Sequence, residues 1–353
     1  MRNKRSLINN TLYVSDIDLC VNSVVSLDQL RDKSVLVTGA TGLIGSFIVD
    51  VLYRANLVRK LNIKIYALGR SYKRLVERFC YASNDDSVTF VEQDVTCEMN
   101  LGGIKVDYCI HAASNAYPAV MYSDPVGTIL ANIQGTYHLL EYLRKNGGKR
   151  FLMVSTGEVY GKCDSAVERF SEDVNGMVDV LKARSCYPLS KRMAENLCVS
   201  YFEQHNLETI IVRPCHTYGP NTTNDDNRAN VQFVRDAIEQ RDIVMKSQGL
   251  QLRSYAYISD VCSGLLTVLL NGKTGEAYNL CNNDSTVSIS EFAEIVADKC
   301  GVKLVYELND TQPSPFDRAV LNSSKLEKLG WNAKFDIYEG IEHTLEISRW
   351  LKC

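Results

Sequence analysis

The stretch SVLVTGATGLIG, residues 34–45, passes from a short apolar run through three evenly spaced glycines into an amphipathic segment. The run at 34–38 reads as a buried strand. Ile44, Phe47, Ile48, Val51 and Leu52 then recur at helical spacing, so the glycines join a strand to a helix. In such a G-x-x-G-x-x-G loop each glycine has a separate task. Gly39 permits the tight turn, Gly42 lets the backbone approach a pyrophosphate, and Gly45 lets helix and sheet pack closely,. The helix N-terminus then faces the phosphate charge. Glycines alone also serve ordinary turns. With a strand before and a helix after, the loop predicts dinucleotide binding.

Further strands are expected at IKIYALG (63–69), VTFVEQD (88–94), VDYCIHAAS (106–114), RFLMVST (150–156) and ETIIVRP (208–214), with helical stretches between them, notably 126–145 and 187–205. Strands alternating with helices imply a doubly wound α/β fold, a parallel sheet covered on both faces. From about 215 the chain turns irregular, with GPNTTNDDNRAN as its most polar stretch and LRSYAYI (252–258) as a further strand. The expected organisation is a leader over 1–32, a dinucleotide-binding domain over 33–214, and a smaller, partly interleaved substrate lobe over 215–353.

Composition narrows the partners. Lys plus Arg total 39 against 42 acids, a net charge of -3 that offers no broad basic surface to nucleic acid or anionic lipid,. No apolar run approaches the roughly 20 residues that span a bilayer, and MRNKRSLINNTLYV lacks an apolar signal core, so a cytoplasmic protein is expected,. The 12 cysteines are scattered from Cys20 to Cys353 with no C-x-x-C pair and no metal spacing,. They read as small buried apolar residues, and no metal is expected.

The second strand should end near the adenosine ribose. An acidic side chain there would repel a 2′-phosphate; this chain has Gly69 and Arg70, which favours NADP over NAD. Arg70 could equally be a solvated loop residue. Asp94, with Val95 beside it, should lie near the adenine or cap the following turn. In YPLSK (187–191), proline in a first helical turn sets Tyr187 at a helix start and Lys191 one turn on,. An adjacent ammonium favours the phenolate, so Tyr187 could serve as a base near neutral pH.

The glycine loop, HAAS (111–114), STGEVYG (155–161), YPLSK, RPCHTYGP (213–220), LRSYAYISD (252–260) and SSKLEKLGW (323–331) occur in an order that resembles the extended short-chain dehydrogenase/reductases, specifically the nucleotide-sugar epimerase/dehydratase branch. The resemblance implies a Rossmann-type sheet and NAD(P) held by Gly39, Thr41, Gly42, Leu43, Ile44 and Gly45, with Arg70, Asp94, Val95, Ala112, Ala113 and Ser114 around it. It implies catalytic Thr156, Tyr187 and Lys191, and a nucleotide diphosphate sugar linked to UDP, dTDP, CDP or GDP. In such enzymes the phenolate removes the 4-hydroxyl proton as hydride leaves carbon 4, giving a transient 4-keto sugar. That ketone supports epimerisation, 4,6-dehydration or decarboxylation. The 4,6-dehydratases carry an Asp-Glu pair after the threonine, where this chain has Gly157 and Glu158. ARSCY and the lone Glu are similar to UDP-glucuronate decarboxylases, but those follow the YGP motif with an arginine, where this chain has Asn221.

The resemblance further implies that Arg253 contacts the diphosphate and Arg228 assists, or that Arg228 is merely solvated. Asn115, Ser155, Thr156 and His216 would border the sugar; a lone His216 fits a structural role better than acid–base work. His111 should support the cofactor loop, Asn132 should link its helix to strand five, and for Glu158 two readings stand, a base or only a turn cap. Helices 126–145 and 187–205 would form a homodimer interface. The leader has no assigned task beyond covering the cofactor edge or a partner. The activity expected from the resemblance is a nucleotide-sugar epimerase or decarboxylase; a 4,6-dehydratase with an atypical Gly-Glu loop, an NADPH-dependent carbonyl reductase and a non-catalytic dinucleotide-binding regulator are the alternatives.

Overall fold

A computed structural model describes residues 5–308 and 318–352. Helix α1 (Thr11–Ser23) precedes strand β1 (Ser34–Thr38), α2 (Leu43–Arg59), β2 (Lys64–Gly69), α3 (Tyr72–Arg78), β3 (Val88–Glu92) and β4 (Tyr108–His111). Next come α4 (Pro118–Ser123), α5 (Pro125–Asn146), β5 (Arg150–Val154), α6 (Cys186–His205) and β6 (Glu208–Pro214). The remainder is β7 (His216–Tyr218), α7 (Ala229–Ile238), β8 (Ile243–Met245), β9 (Leu252–Tyr257), α8 (Ile258–Asn271), β10 (Ala277–Leu280), β11 (Thr286–Ser288), α9 (Ile289–Cys300), β12 (Leu304–Tyr306), β13 (Arg318–Ala319), α10 (Ser324–Glu327) and α11 (Ile337–Lys352).

Seven strands form one parallel sheet in the order β10-β6-β5-β4-β1-β2-β3. β1 pairs with both β2 and β4, so the chain reverses direction across the sheet there, and ligands of such sheets bind outside that switch point,. Alternation along β1 sorts its side chains. Val35 and Val37 join the core under α1, α2 and α8, while Leu36 joins the core under α5 and α6,. The Rossmann-type sheet expected from the sequence is therefore present. β10 returns from the far side of residue 215 to complete it. The second lobe is built on β9, flanked by β11 and β13 and paired with β7, with the small β12-β8 pair beside it.

The segment read as a leader is part of the core. Tyr13, Ile17, Cys20 and Val21 of α1 are buried, and the helix packs on α2, α8 and α11. Tyr13 donates to Asp50 at 2.5 Å, Arg78 and Tyr81 close on the same carboxylate, and Asp16 accepts from Tyr257 at 2.6 Å. The sequence hid this because α1 offers five buried residues amid polar neighbours and no glycine or proline signal. Among the described residues no helix is long and apolar enough to cross a membrane, no group of side chains could hold a metal ion, and every cysteine is a free thiol.

If α1 is core, Ile17→Ala lowers stability by about 2–4 kcal/mol, read as a drop in the urea midpoint; an unchanged midpoint would return α1 to the status of an appendage.

Candidate active site

At the switch point the glycine loop meets the chain leaving β4. Gly39 has φ 65°, and a Cβ there would come within 2.8 Å of the Ala113 backbone. A Cβ on Gly45 would strike the Gly39 carbonyl oxygen at 2.3 Å. These two positions admit no side chain, and α2 consequently starts directly behind the turn with Gly42 as its N-cap. Beside Gly42 the space is open apart from the Gly39 carbonyl oxygen. Open room at the N-terminus of a 17-residue helix fits the phosphates of a dinucleotide,.

A cavity of about 410 Å³ extends from this turn to the second lobe. Gly39, Gly42, Leu43, Ile44, Gly45, Ala112 and Ser114 form one wall; Ser155, Thr156, Glu158, Tyr187 and Lys191 form another; His216, Arg228 and Arg253 face them. Six expected residues stand outside the wall. Thr41, Ala113 and Asn115 sit in the same loops without lining it. Arg70 is exposed at the end of β2. Asp94 caps its own turn, accepting from the Thr96 amide at 2.9 Å and hydroxyl at 2.8 Å. Val95 is buried in the core below.

The tyrosine and lysine share a buried face of α6, as their spacing requires. Lys191 Nζ donates to the Val154 carbonyl at 2.8 Å and lies 6.0 Å from the Tyr187 ring centroid. Burial pulls its pKa down to about 8, against the pull of Glu195 upward. The expected lowering of the Tyr187 phenol is not met in the chain by itself. Burial, then the Glu158 charge, pushes it well above its ordinary value, while a hydrogen bond with Thr156 and the charges of Arg228 and Arg184 oppose the rise. Lys191 gives one N–H to a carbonyl and makes no hydrogen bond to the phenol.

Glu158 is not a free base. Arg184 Nη2 donates to both of its oxygens, at 3.2 and 3.1 Å. Arg184, from ARSCY, went unassigned in the sequence because only folding brings the turn before α6 across to the loop after β5. Both bonds come from Nη2, leaving its other donor edges unengaged by any described residue. Tyr117, Asp226 and Arg318 also line the cavity and carried no sequence signal. Among the described residues the walls hold five cations (Arg184, Lys191, Arg228, Arg253, Arg318) against two carboxylates (Glu158, Asp226). Asp226 holds Arg228, accepting from Nη2 at 2.6 Å. Arg253 is buried and donates to the Leu252 carbonyl at 2.9 Å.

Three further expectations resolve differently. Asn221, weighed as the missing cation of a carboxylate site, does not face the cavity: its amide donates to the Leu43 carbonyl at 2.6 Å and to Ser46 at 2.8 Å. Its identity therefore says little about the substrate's charge. Asn132 links not strand five but Ser114, whose hydroxyl it accepts at 2.8 Å, to Ser190 on α6 at 2.9 Å. Ser155 turns its hydroxyl to Glu195 at 2.5 Å, and Glu195 is gripped by Arg213 at 3.0 and 2.7 Å. His111 bonds Thr38 at 2.8 Å beneath the glycine loop. Burial holds both His111 and His216 at a pKa of about 3, so neither is protonated near neutral pH.

Residues 35–281 match the profile of the NAD dependent epimerase/dehydratase family. UDP-glucuronic acid decarboxylase 6 of Arabidopsis thaliana is 32% identical over 308 residues, covering 87% of this chain and 86% of that protein. The fold is that of UDP-glucose 4-epimerase from Thermotoga maritima, solved with UDP-glucose (TM-score 0.77, 21% identity, 90% and 99% of the two chains). It is equally that of UDP-glucuronic acid 4-epimerase from Bacillus cereus, solved with UDP-glucuronic acid and NAD (TM-score 0.76, 22% identity, 90% and 99%). With a profile match over most of its length and a curated relative at this identity, the chain belongs to the NAD dependent epimerase/dehydratase family and is an enzyme of nucleotide-sugar modification.

Proposed function

We propose that this enzyme oxidises a nucleotide-linked hexuronate at carbon 4 and releases its carboxyl group as carbon dioxide. The Glu158–Arg184 ion pair carries this reading. Dehydration across carbons 5 and 6, or epimerisation at carbon 5, needs a base to take the carbon 5 proton, and a carboxylate gripped twice by a guanidinium is a poor acceptor,. Decarboxylation needs no such base. A 4-keto hexuronate is a β-keto acid: the C5–C6 bond breaks, its electron pair becomes the enolate over C4 and C5, and a proton then adds at C5. The excess of cations among the described cavity residues suits a substrate carrying a carboxylate besides its diphosphate,. The unengaged edges of Arg184 are the donors assigned to that carboxylate, and Arg253 with Arg228 to the diphosphate.

When bound, an oxidised nicotinamide supplies the hydride acceptor and a positive charge. Gly39, Gly42, Gly45, Leu43 and Ile44 are assigned to hold the dinucleotide, with Lys191. Tyr187 takes the 4-hydroxyl proton once that charge offsets its burial; Thr156 shares a hydrogen bond with the reacting oxygen and stabilises the enolate. Tyr187 returns the proton when the product ketone is reduced. Arg70, exposed and without a partner among the described residues, supports NADP over NAD. Exposed Val126, Leu130 and Tyr137 on α5 with Met193 on α6 support pairing with a second copy,. Epimerisation at carbon 4 remains the second reading, because it too dispenses with a base at carbon 5.

Incubation with UDP-glucuronate should yield a product lighter by one carbon dioxide by mass spectrometry; unchanged mass with inverted carbon 4 would replace decarboxylation by epimerisation. Tyr187→Phe should lower turnover about 10²–10⁴-fold with the fold intact by circular dichroism. Because the folded pKa of Lys191 is depressed from 10.5 to about 8, the wild type should gain stability relative to Lys191→Met as pH rises from about 8 to about 10.5. Thermal melts of both proteins across that window check the sign.

A further inference from the structure

The polar stretch GPNTTNDDNRAN, residues 219–230, is a bridge rather than a loose loop. It leaves β7 against the start of α8, where a Cβ on Gly219 would meet Ile258 at 2.6 Å. Over the next residues it makes three separate contacts to the dinucleotide-binding half. Asn221 donates to the Leu43 carbonyl at 2.6 Å and to Ser46 at 2.8 Å, both in the first turn of α2. Thr223 shares a 2.9 Å hydrogen bond with Tyr117, on the chain that leaves β4. Asp225 stands 3.6 Å from Arg74 on α3, beyond the end of β2.

The bridge is braced from its own side. Arg235 on α7 donates to the carbonyls of Asp226 and Thr223, at 2.7 and 2.6 Å, and Arg228 donates to the Thr217 carbonyl at 3.2 Å. Asn221 is buried, yet its Oδ1 has no partner among the described residues. An unsatisfied buried carbonyl is costly, so the hold of this side chain on α2 comes from its amide nitrogen.

We propose that residues 219–226 form a strap that retains the dinucleotide through the catalytic cycle, with Asn221 as its principal fastening. The proposal rests on the reading that the glycine loop holds a dinucleotide. A reaction that first removes and later returns a hydride fails if the reduced cofactor escapes while the keto sugar is still bound. The strap joins the three elements around the dinucleotide cradle, namely the first turn of α2, the chain after β4 and α3, so release requires its contacts to open. Its far end, Asp226 and Arg228, lines the substrate cavity, which ties retention to the half of the protein that meets the sugar nucleotide.

The test loads the full-length protein with NADPH, or with NADH if that is the form it takes up, and follows loss of the bound fluorescence on chasing with excess of the matching oxidised dinucleotide. Asn221→Leu removes both amide hydrogen bonds at similar volume and should speed release about tenfold or more. Thr223→Val and Asp225→Asn, in the partly exposed reach of the strap, should each speed it about two- to fivefold, and they serve if Asn221→Leu does not fold. Release at the wild-type rate in the folded variants would overturn the strap while leaving the dinucleotide site intact. A wild-type protein that takes up neither NADH nor NADPH would overturn the underlying reading instead.

Discussion

Two backbones meet at the centre of the sheet, and most of the molecule is arranged around that meeting. The turn after β1 lies against the chain leaving β4 so closely that a Cβ on Gly39 would sit 2.8 Å from the Ala113 nitrogen. Bulk there would force β1 and β4 apart, displace the start of α2, and open the cleft where the strand order reverses. Because both faces of the parallel sheet are covered, the strands can be apolar on both sides, and the polar groups collect at the carboxyl edge where that cleft lies.

The site is costly to fold as well as useful. Lys191 is almost fully buried with one described hydrogen bond, to Val154, and Tyr187 beside it is held neutral by burial. Burial thus moves the two groups in opposite directions, Lys191 down to about 8 and the Tyr187 phenol up. Below this pair, Ser155, Glu195, Arg213, Tyr160 and Asn279 form a continuous hydrogen-bonded chain from β5 through α6 and β6 to β10. Buried networks of this kind favour one arrangement because any break strands a polar group, and this one holds the β5 loop that carries Thr156.

Legibility followed distance along the chain. The glycine turn, the six strands up to β6, and the Tyr187–Lys191 face depend on residues within a few positions of one another, so spacing alone exposed them, whereas the seventh strand, β10, left no such signal. Arg184 and Glu158 are 26 residues apart and Asn221 and Ser46 are 175 apart; neither pairing leaves a local pattern. α1 escaped notice for a related reason, since its buried face becomes visible only against α2, α8 and α11.

From sequence alone came the fold class, the tight glycine turn ahead of α2 and the shared face of Tyr187 and Lys191, because each is a consequence of backbone sterics and helical or strand periodicity. Tertiary structure alone decided that Glu158 is held by Arg184 rather than free, that Asn221 faces α2 instead of the cavity, and that burial with the Glu158 charge outweighs Thr156, Arg228 and Arg184 in setting the state of Tyr187. Those outcomes depend on which charges meet in three dimensions and how much water is excluded when they do.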